Sequence, residues 1–189
     1  MKLKKDLALL KSTNIKVLKG EELYLYNLSR TFSGELNIYL EENSKLIFDN
    51  AMINKENHHL IINVYHDGEN IKSIINNNIL NIEGRLNLEV NLIHHTNNST
   101  SNQYNKLINI KGISIIKPNL IVNNNKTEAN HSAYIGPFKK EYYYYLATRG
   151  ISYKDATILM AKALLKGGHD LDNGFIEEET KCLEKILNY

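Results

Sequence analysis

The sequence predicts a mainly-β protein that ends in a short helical segment. From about Glu22 to Ile135, apolar and polar residues alternate with a period of two, the pattern of strands with one buried face. The breaks between these runs are short and polar, and no helical pattern interrupts them, which argues against a doubly wound α/β sheet. After Gly136-Pro137 the pattern becomes helical, because this pair stops a strand and redirects the chain. The predicted divisions are an N-terminal segment (1–20), a β body (21–136) and a C-terminal helical segment (137–189).

The β body contains many short predicted strands. Their apolar positions are Leu23 and Leu25; Leu36, Ile38 and Leu40; Leu46 and Phe48; Leu60, Ile62 and Val64; and Leu86, Leu88, Val90 and Leu92. Two architectures fit this pattern, an antiparallel sandwich and a parallel β-helix. No fixed repeat is visible, which disfavours a strict hexapeptide solenoid. Periodicity alone leaves both architectures open.

Asparagine is abundant and occurs in runs at 76–78 and 123–125. An AT-rich genome would produce this bias without any functional cause. The structural alternative is that asparagine tolerates left-handed turns and stacks in ladders between successive coils.

Three helices are expected in the C-terminal segment. The first is predicted from about Lys139 to Thr148, with Gly150 just past its end. Ser152 and Asp155 form an acidic variant of a capping box that opens the second helix. The predicted apolar face of the second helix consists of Ala156, Leu159, Met160, Ala163 and Leu164, and Gly167-Gly168 closes it.

A third helix is predicted after Asp172-Asn173-Gly174, with Ile176, Leu183, Ile186 and Leu187 as its apolar stripe. The three helices together are expected to cap the end of the sheet body and protect its last open edge.

Charge and cysteine content exclude several functional classes. The chain of 189 residues carries 23 basic and 21 acidic residues that alternate instead of forming basic blocks, so nucleic acid is not an expected partner. The longest apolar run, Ile158 to Leu165, is interrupted by Lys162 and is too short to span a membrane. The single cysteine, Cys182, excludes a disulfide framework and is expected to be a small buried hydrophobe. These features predict a cytoplasmic protein.

Two motifs near the C-terminus resemble the SufB/SufD family. They are Asn130-His131-Ser132-Ala133-Tyr134-Ile135-Gly136 and, after Glu141, Tyr144-Tyr145-Leu146-Ala147-Thr148-Arg149-Gly150-Ile151-Ser152. Ala156 and Leu159 continue the resemblance, and Pro118 to Val122 is similar to the family's penultimate coil. The match keeps the order and spacing of its parts over about residues 105 to 165.

This resemblance implies a right-handed parallel β-helix, or β-solenoid, as the fold. It also implies that the C-terminal helices bind SufC, an ATPase of the ABC type, and that pairs of such chains form a scaffold for iron-sulfur cluster assembly. The chain itself would be a scaffold and not an enzyme. It would have no intrinsic cofactor, and its cargo would be a transient iron-sulfur cluster at a subunit interface.

Two departures place the chain nearer to SufD. Gly112 stands where SufB-type scaffolds carry a cysteine, so no thiolate is available there to hold iron or sulfide. Ser132 stands where they carry a glutamate after the histidine. The resemblance further implies a short form of the family, without the N-terminal domain that is common in it.

His131 is the candidate metal ligand, because a neutral imidazole can bind iron and the position matches the family's histidine. A structural histidine at the end of the last coil is the competing interpretation. His58-His59 and His94-His95 are expected at the surface, because adjacent strand residues point to opposite faces and cannot chelate together.

The candidate ATPase-docking residues are Tyr145, Leu146, Arg149, Gly150, Ile151 and Ser152. Within the Tyr142 to Tyr145 run the side chains fan around the helix, so Tyr145 and Leu146 are expected in the core and Tyr142 at the surface. For Arg149 a capping role at the helix end is favoured over contact with a partner.

The sequence contains no phosphate-binding glycine loop, no Ser/His/Asp order and no paired acids, so catalytic residues are not expected. The resulting hypothesis is a SufD-like scaffold that works with a SufC-type ATPase, either as a homodimer or beside a SufB-type subunit. The alternative is a structural β-solenoid without metal chemistry that self-assembles or mediates protein interaction. A carbohydrate-active β-helix enzyme would need clustered acids on adjacent coils, which are not visible.

Overall fold

The computed structural model describes residues 2–7, 12–29, 33–167 and 184–185. The strands are β1 Lys2–Asp6, β2 Asn14–Val17, β3 Glu22–Ser29, β4 Gly34–Leu40, β5 Lys45–Asn54, β6 His58–His66, β7 Lys72–Asn81, β8 Arg85–His94, β9 Ser99–Asn109, β10 Ile113–Val122 and β11 Thr127–Gly136. The helices are α1 Lys140–Ala147 and α2 Tyr153–Lys166.

All strand pairs are parallel, and successive strands alternate between two sheets. The first sheet has the order β1-β3-β5-β7-β9-β11 and the second has the order β10-β8-β6-β4-β2. Each strand therefore pairs with the strand two positions away in the chain, and one strand of each sheet makes one coil. This arrangement is a parallel β-solenoid, which confirms the predicted fold class. Both β1 and β2 lie in the N-terminal segment (1–20), and they pair with β3 and β4 as parts of the sheets.

The coils grow longer along the chain, which explains why no fixed repeat is visible in the sequence. Stacked side chains are 23 residues apart between Asn27 and Asn50. The spacing is 27 residues between Asn50 and Asn77 and 28 residues between Asn77 and Asn105. The predicted apolar positions of every strand point between the two sheets and form one continuous core. Burial of this core, at about 25 cal/mol per Å² of apolar surface, is the main driving force for stacking.

Asparagine side chains form ladders that run from one coil to the next, as expected from the structural explanation of their abundance. In the buried ladder, the side-chain amides of Asn27, Asn50 and Asn77 each donate to the next asparagine, at 2.8, 2.9 and 2.8 Å, and Asn105 receives the last of these bonds. A second ladder on the second sheet joins Asn37, Asn63, Asn91 and Asn119.

Three further asparagines occupy equivalent corners of successive coils in the left-handed conformation. Asn43, Asn70 and Asn98 have φ values of 60°, 56° and 58°. Asparagine accepts this backbone region more readily than most residues. The asparagine bias therefore has structural uses in this fold, both inside the coils and at their corners.

The helical pair packs on the side of the solenoid and not over its end. The buried face of α2 meets the outer face of β5, β7 and β9, in a second core distinct from the one between the sheets. The members of this second core are Ala51, Ile53, Leu80, Ile82, Ile108, Phe138, Ala161, Leu164 and Leu165. The expected end cap is therefore wrong for the two helices that the structure describes.

The helix boundaries match the expected signals, but the buried face of α2 differs from the prediction. The side chains of Ala156 and Leu164 are buried as expected, whereas Leu159 is 47% exposed and Ala163 is exposed. The residues that α2 buries are Ala156, Thr157, Ile158, Ala161, Leu164 and Leu165. The run Ile158-Leu159-Met160 is apolar throughout, so it could not fix the rotation of the helix. The predicted third helix and Cys182 lie outside the described residues.

Candidate docking surface and last coil

The junction between α1 and α2 is a fixed turn. The Ile151 N–H donates to the Leu146 carbonyl at 3.2 Å, and the Gly150 N–H donates to the Ala147 carbonyl at 3.0 Å. This pair of bonds is a Schellman turn, which requires a left-handed residue, and Gly150 supplies it with a φ of 75°. Two residues later, the Ser152 hydroxyl accepts the Asp155 N–H at 3.1 Å and opens α2. The predicted docking residues from Gly150 to Ser152 therefore set the angle between the helices.

Tyr143 is the tyrosine of the run that packs inward. Its ring stacks on Tyr153 at 4.3 Å between centroids, and its hydroxyl lies 3.1 Å from the Thr157 hydroxyl. Burial raises the pKa of Tyr143 to about 12. Tyr145, which was expected in the core, is instead 59% exposed, and Leu146 is half-buried. The ring stack with Tyr153, which was not foreseen, explains why Tyr143 faces inward.

Arg149 lies over the exposed face of Tyr145. Its guanidinium carbon is 5.2 Å from the centroid of the Tyr145 ring, within the range of a cation–π interaction. The last carbonyls of α1 are bonded by backbone N–H groups. The structure therefore shows Arg149 on the ring of Tyr145 and not as a cap, so the capping role favoured from the sequence is wrong.

Five exposed side chains on the two helices form what we call the aromatic patch. The members of the aromatic patch are Tyr142, Tyr144, Tyr145, Tyr153 and Leu159. A cavity of about 410 Å³ opens beside the patch, with Phe138, Tyr143 and Thr157 among its walls. Of the patch, Tyr144 and Tyr153 line this cavity. Large apolar side chains exposed beside a cavity are typical of interaction surfaces.

The last coil, Ile113 to Gly136, leaves the end of the solenoid open. Among the described residues, β11 pairs only with β9 and β10 only with β8. Side chains that lie inside earlier coils are therefore exposed to solvent at this end. The exposed apolar side chains of the last coil are Ile113, Ile121, Val122 and Ile135.

His131 lies on β11 at this open end. It is in register with Gln103 of β9, which is in register with Ile75 of β7. Because Ile75 and Gln103 are fully buried between the sheets, His131 continues an inward-facing row and is exposed only because no further coil covers it.

The last coil does not by itself provide a complete ligand set for iron. No group of three or more His, Cys, Asp or Glu side chains that could hold a metal occurs within the described ranges. Ser132 follows His131, and Gly112 packs against the side chain of Asn81. His131 is the one predicted metal ligand on this coil.

The two histidine pairs are arranged differently from the prediction that all four are at the surface. His59 and His95 are exposed, and His95 lies 2.7 Å from Asp67. His94 is fully buried and stacks on His66 with 4.0 Å between ring centroids. Sequence reasoning does not identify His66 as the partner of His94, because the 28-residue offset between the two histidines is recognisable only once the coil length is known.

The fold and these surfaces define the class of protein: a parallel β-solenoid with an open last coil and a laterally packed helical pair that bears an aromatic patch. Residues 111–164 match the family model described as "SUF system FeS cluster assembly, SufBD core domain". This match confirms the relationship to the SufB/SufD family that the C-terminal motifs indicated. It covers the last coil, α1 and most of α2.

A comparison with curated proteins finds no match to the chain. None of the helices within the described ranges is long and apolar enough to cross a membrane.

Proposed function

We propose that this chain is a SufD-like scaffold subunit of an iron-sulfur cluster assembly complex and that it docks a SufC-type ABC ATPase through the aromatic patch. The observation that supports the proposal most directly is the position of the family match. Residues 111–164 contain the open last coil and all five members of the aromatic patch, three on α1 and two on α2. The matched segment therefore holds both the open last coil and the aromatic patch.

The geometry of the helical pair suits a rigid docking surface. The Schellman turn at Gly150 and the Ser152 cap fix the two helices, and the ring stack of Tyr143 on Tyr153 joins them. The exposed rings are thus presented with little conformational entropy left to lose on binding. Tyrosine and arginine are the residue types most enriched among side chains that dominate binding energy, and Tyr145 with Arg149 forms such a pair.

In this proposal the open last coil is covered by a second subunit, either another copy or a SufB-type chain. An uncovered strand edge with exposed apolar side chains is a template for further pairing. His131 would then lie at a subunit interface and supply one ligand to a cluster whose thiolates come from the second chain. ATP hydrolysis belongs to the docked partner, and the compartment proposed is the cytoplasm.

The docking proposal is tested by a pull-down of the SufC-type ATPase from the same organism with the tagged chain. Tyr145→Ala combined with Arg149→Glu should abolish capture, because it removes the exposed ring and reverses the charge above it. We expect at least a hundredfold weaker binding, since residues of this kind contribute about 2 kcal/mol or more each.

Tyr104→Ala is the matched control, because Tyr104 is half exposed but lies on strand β9 and on neither helix. It should leave capture unchanged. Far-ultraviolet circular dichroism should show the parent's strand content in all three proteins. Full binding by the double variant would refute the docking assignment.

The structural-solenoid alternative is favoured by one observation, the uncovered last coil, because the same edge could join copies without any metal. Concentration-dependent filaments in electron micrographs, together with no capture of the ATPase by the parent chain, would support this alternative.

A further inference from the structure

Gly112 lies in the turn that leads from β9 into β10, and there is no space for a side chain at this position. A β-carbon on Gly112 would lie 2.5 Å from Asn81 Cγ and 2.6 Å from Asn81 Nδ2. Real β-carbons essentially never approach other heavy atoms this closely. The backbone does not itself demand glycine, because Gly112 is absent from the residues with positive φ. The requirement for glycine therefore comes from the side chain of Asn81.

Asn81 is held in place and cannot easily yield. It is fully buried, and its Oδ1 accepts a hydrogen bond of 2.8 Å from Asn54. Its Nδ2 donates to the Ser114 hydroxyl at 3.0 Å, and this hydroxyl donates to Asn109 at 2.6 Å. Moving the Asn81 amide would leave buried donors and acceptors without partners, which is more costly than losing a hydrogen bond at the surface. The hydrogen-bond network thus holds the Asn81 side chain in the space beside position 112.

We infer that Asn81 is the residue that excludes a side chain, and with it a thiolate, from position 112. A cysteine is therefore not only absent from this corner. Asn81 of the neighbouring coil leaves no space for its side chain. The consequence for cluster assembly rests on the proposed function: such a scaffold takes its thiolate ligands from a second subunit, and this chain offers His131. The packing relationship between Asn81 and Gly112 does not depend on that function.

The inference is tested by a double-mutant cycle with Gly112→Ala, Asn81→Ala and both together, measured by thermal unfolding. Gly112→Ala should lower the Tm by about 5 °C, because an added β-carbon overpacks a buried corner. Asn81→Ala should also lower the Tm, because it breaks the amide network. The double variant should have a Tm no lower than that of Asn81→Ala alone, since the Asn81 amide no longer fills the space beside position 112.

A parent-like Tm for Gly112→Ala would overturn the inference, and so would losses in Tm that simply add. If Gly112→Ala does not fold, the Asn81→Ala variant and the double variant provide the test. A double variant that folds supports the inference. A double variant that does not fold, although Asn81→Ala does, refutes it. The cycle needs no partner protein. A parent chain that fails to capture the ATPase would therefore refute the proposed function and leave this result intact.

A thiol measurement tests the part of the inference that concerns ligands. In a Cys182→Ser background, Gly112→Cys should show a lowered Tm, whereas Asn81→Ala with Gly112→Cys should fold with the Tm of Asn81→Ala and present one thiol to Ellman's reagent. Lys111→Cys, which changes the adjacent exposed residue, is the control and should react while keeping the parent's Tm. Gly112→Cys alone with the parent's Tm would show that Asn81 does not close the position.

Discussion

At the scale of single residues, the buried pair His66 and His94 makes the stability of the folded chain sensitive to acid. The rings stack at 4.0 Å, and hydroxyl groups of Ser73, Ser99 and Ser101 lie within 2.9 Å of their nitrogens. Burial lowers the pKa of His66 to about 3 and that of His94 to about 4. Repulsion from His94 and His95 acts in the same direction on the pKa of His66, and Asp67 faces His95 at the surface. Both histidines are thus neutral in the folded chain at neutral pH.

Stability should therefore fall as the pH drops below about 6.5. The unfolded chain binds protons at both histidines below their ordinary pKa near 6.5, whereas the folded chain does not bind them until the pH approaches about 4. Between pH 7.5 and pH 5 we expect the two histidines together to lower the free energy of unfolding by about 4 kcal/mol. Urea denaturation across this range measures the loss.

His66→Gln should reduce the slope of stability against pH by about half. His59→Gln, which changes an exposed side chain, is the matched control and should leave the slope of the parent. A slope that is the same in all three proteins would exclude the buried pair as its origin.

At the scale of elements, the buried asparagine ladder adds side-chain hydrogen bonds to the backbone pairing and the apolar core that join successive strands. Along the row from Asn27 to Asn105, the Asn50 and Asn77 side chains each accept from the previous asparagine and donate to the next. The ladder ends on β11, where the Asn105 amide donates to the Ser132 carbonyl at 3.1 Å. The strand that carries His131 is thus attached to the same row of amides as the first coils.

Asn77→Ala should destabilise the chain by about 3 kcal/mol, because it leaves the Asn50 amide and the Asn105 carbonyl oxygen with a lost partner in a buried row. Asn125→Ala, at an exposed loop position, should change stability by less than about 0.5 kcal/mol. Denaturant midpoints of the two variants measure the difference. Equal midpoints would show that the ladder contributes no more than a surface asparagine.

Much of each element could be predicted from the sequence, because alternation and capping are local signals. Ser152, Asp155 and Gly150 marked the ends of the helices correctly, since a cap or a left-handed turn depends on only a few neighbouring residues. The face that α2 buries could not be predicted in the same way. It is set by contact with β5 and β7, which are about a hundred residues earlier in the chain, and Leu159 is exposed as a result.

At the scale of the whole molecule, the family motifs identified the architecture where periodicity could not. Parallel and antiparallel sheets have the same alternation, so Leu36 or Val64 gives no sign of its partner strand. The placement of the candidate site was only partly predictable. His131 lies on the last strand, but the fold turns Tyr145 outward and stacks Arg149 upon it.

The open end should govern self-association. Val122→Lys with Ile135→Lys places two charges on the exposed apolar side chains of the last coil, and burying them unpaired in an interface is costly. We expect dimerisation, measured by analytical ultracentrifugation, to weaken by at least about a hundredfold, or roughly 3 kcal/mol.

Leu18→Lys is the matched control, because Leu18 is also about half exposed but lies at the opposite end of the solenoid, after β2. It should associate as the parent does. Weakening by Leu18→Lys and not by the last-coil pair would place the contact at the other end.

The 28-residue stacking offset of the later coils has a consequence for how such a chain can change its length. The offsets of 23, 27 and 28 residues between stacked asparagines show that the corners absorb differences in length without breaking a column. Losing one residue inside a strand would instead turn every later side chain of that strand to the opposite face. Insertions and deletions should therefore be tolerated at the corners, or as whole turns, and not inside the strands.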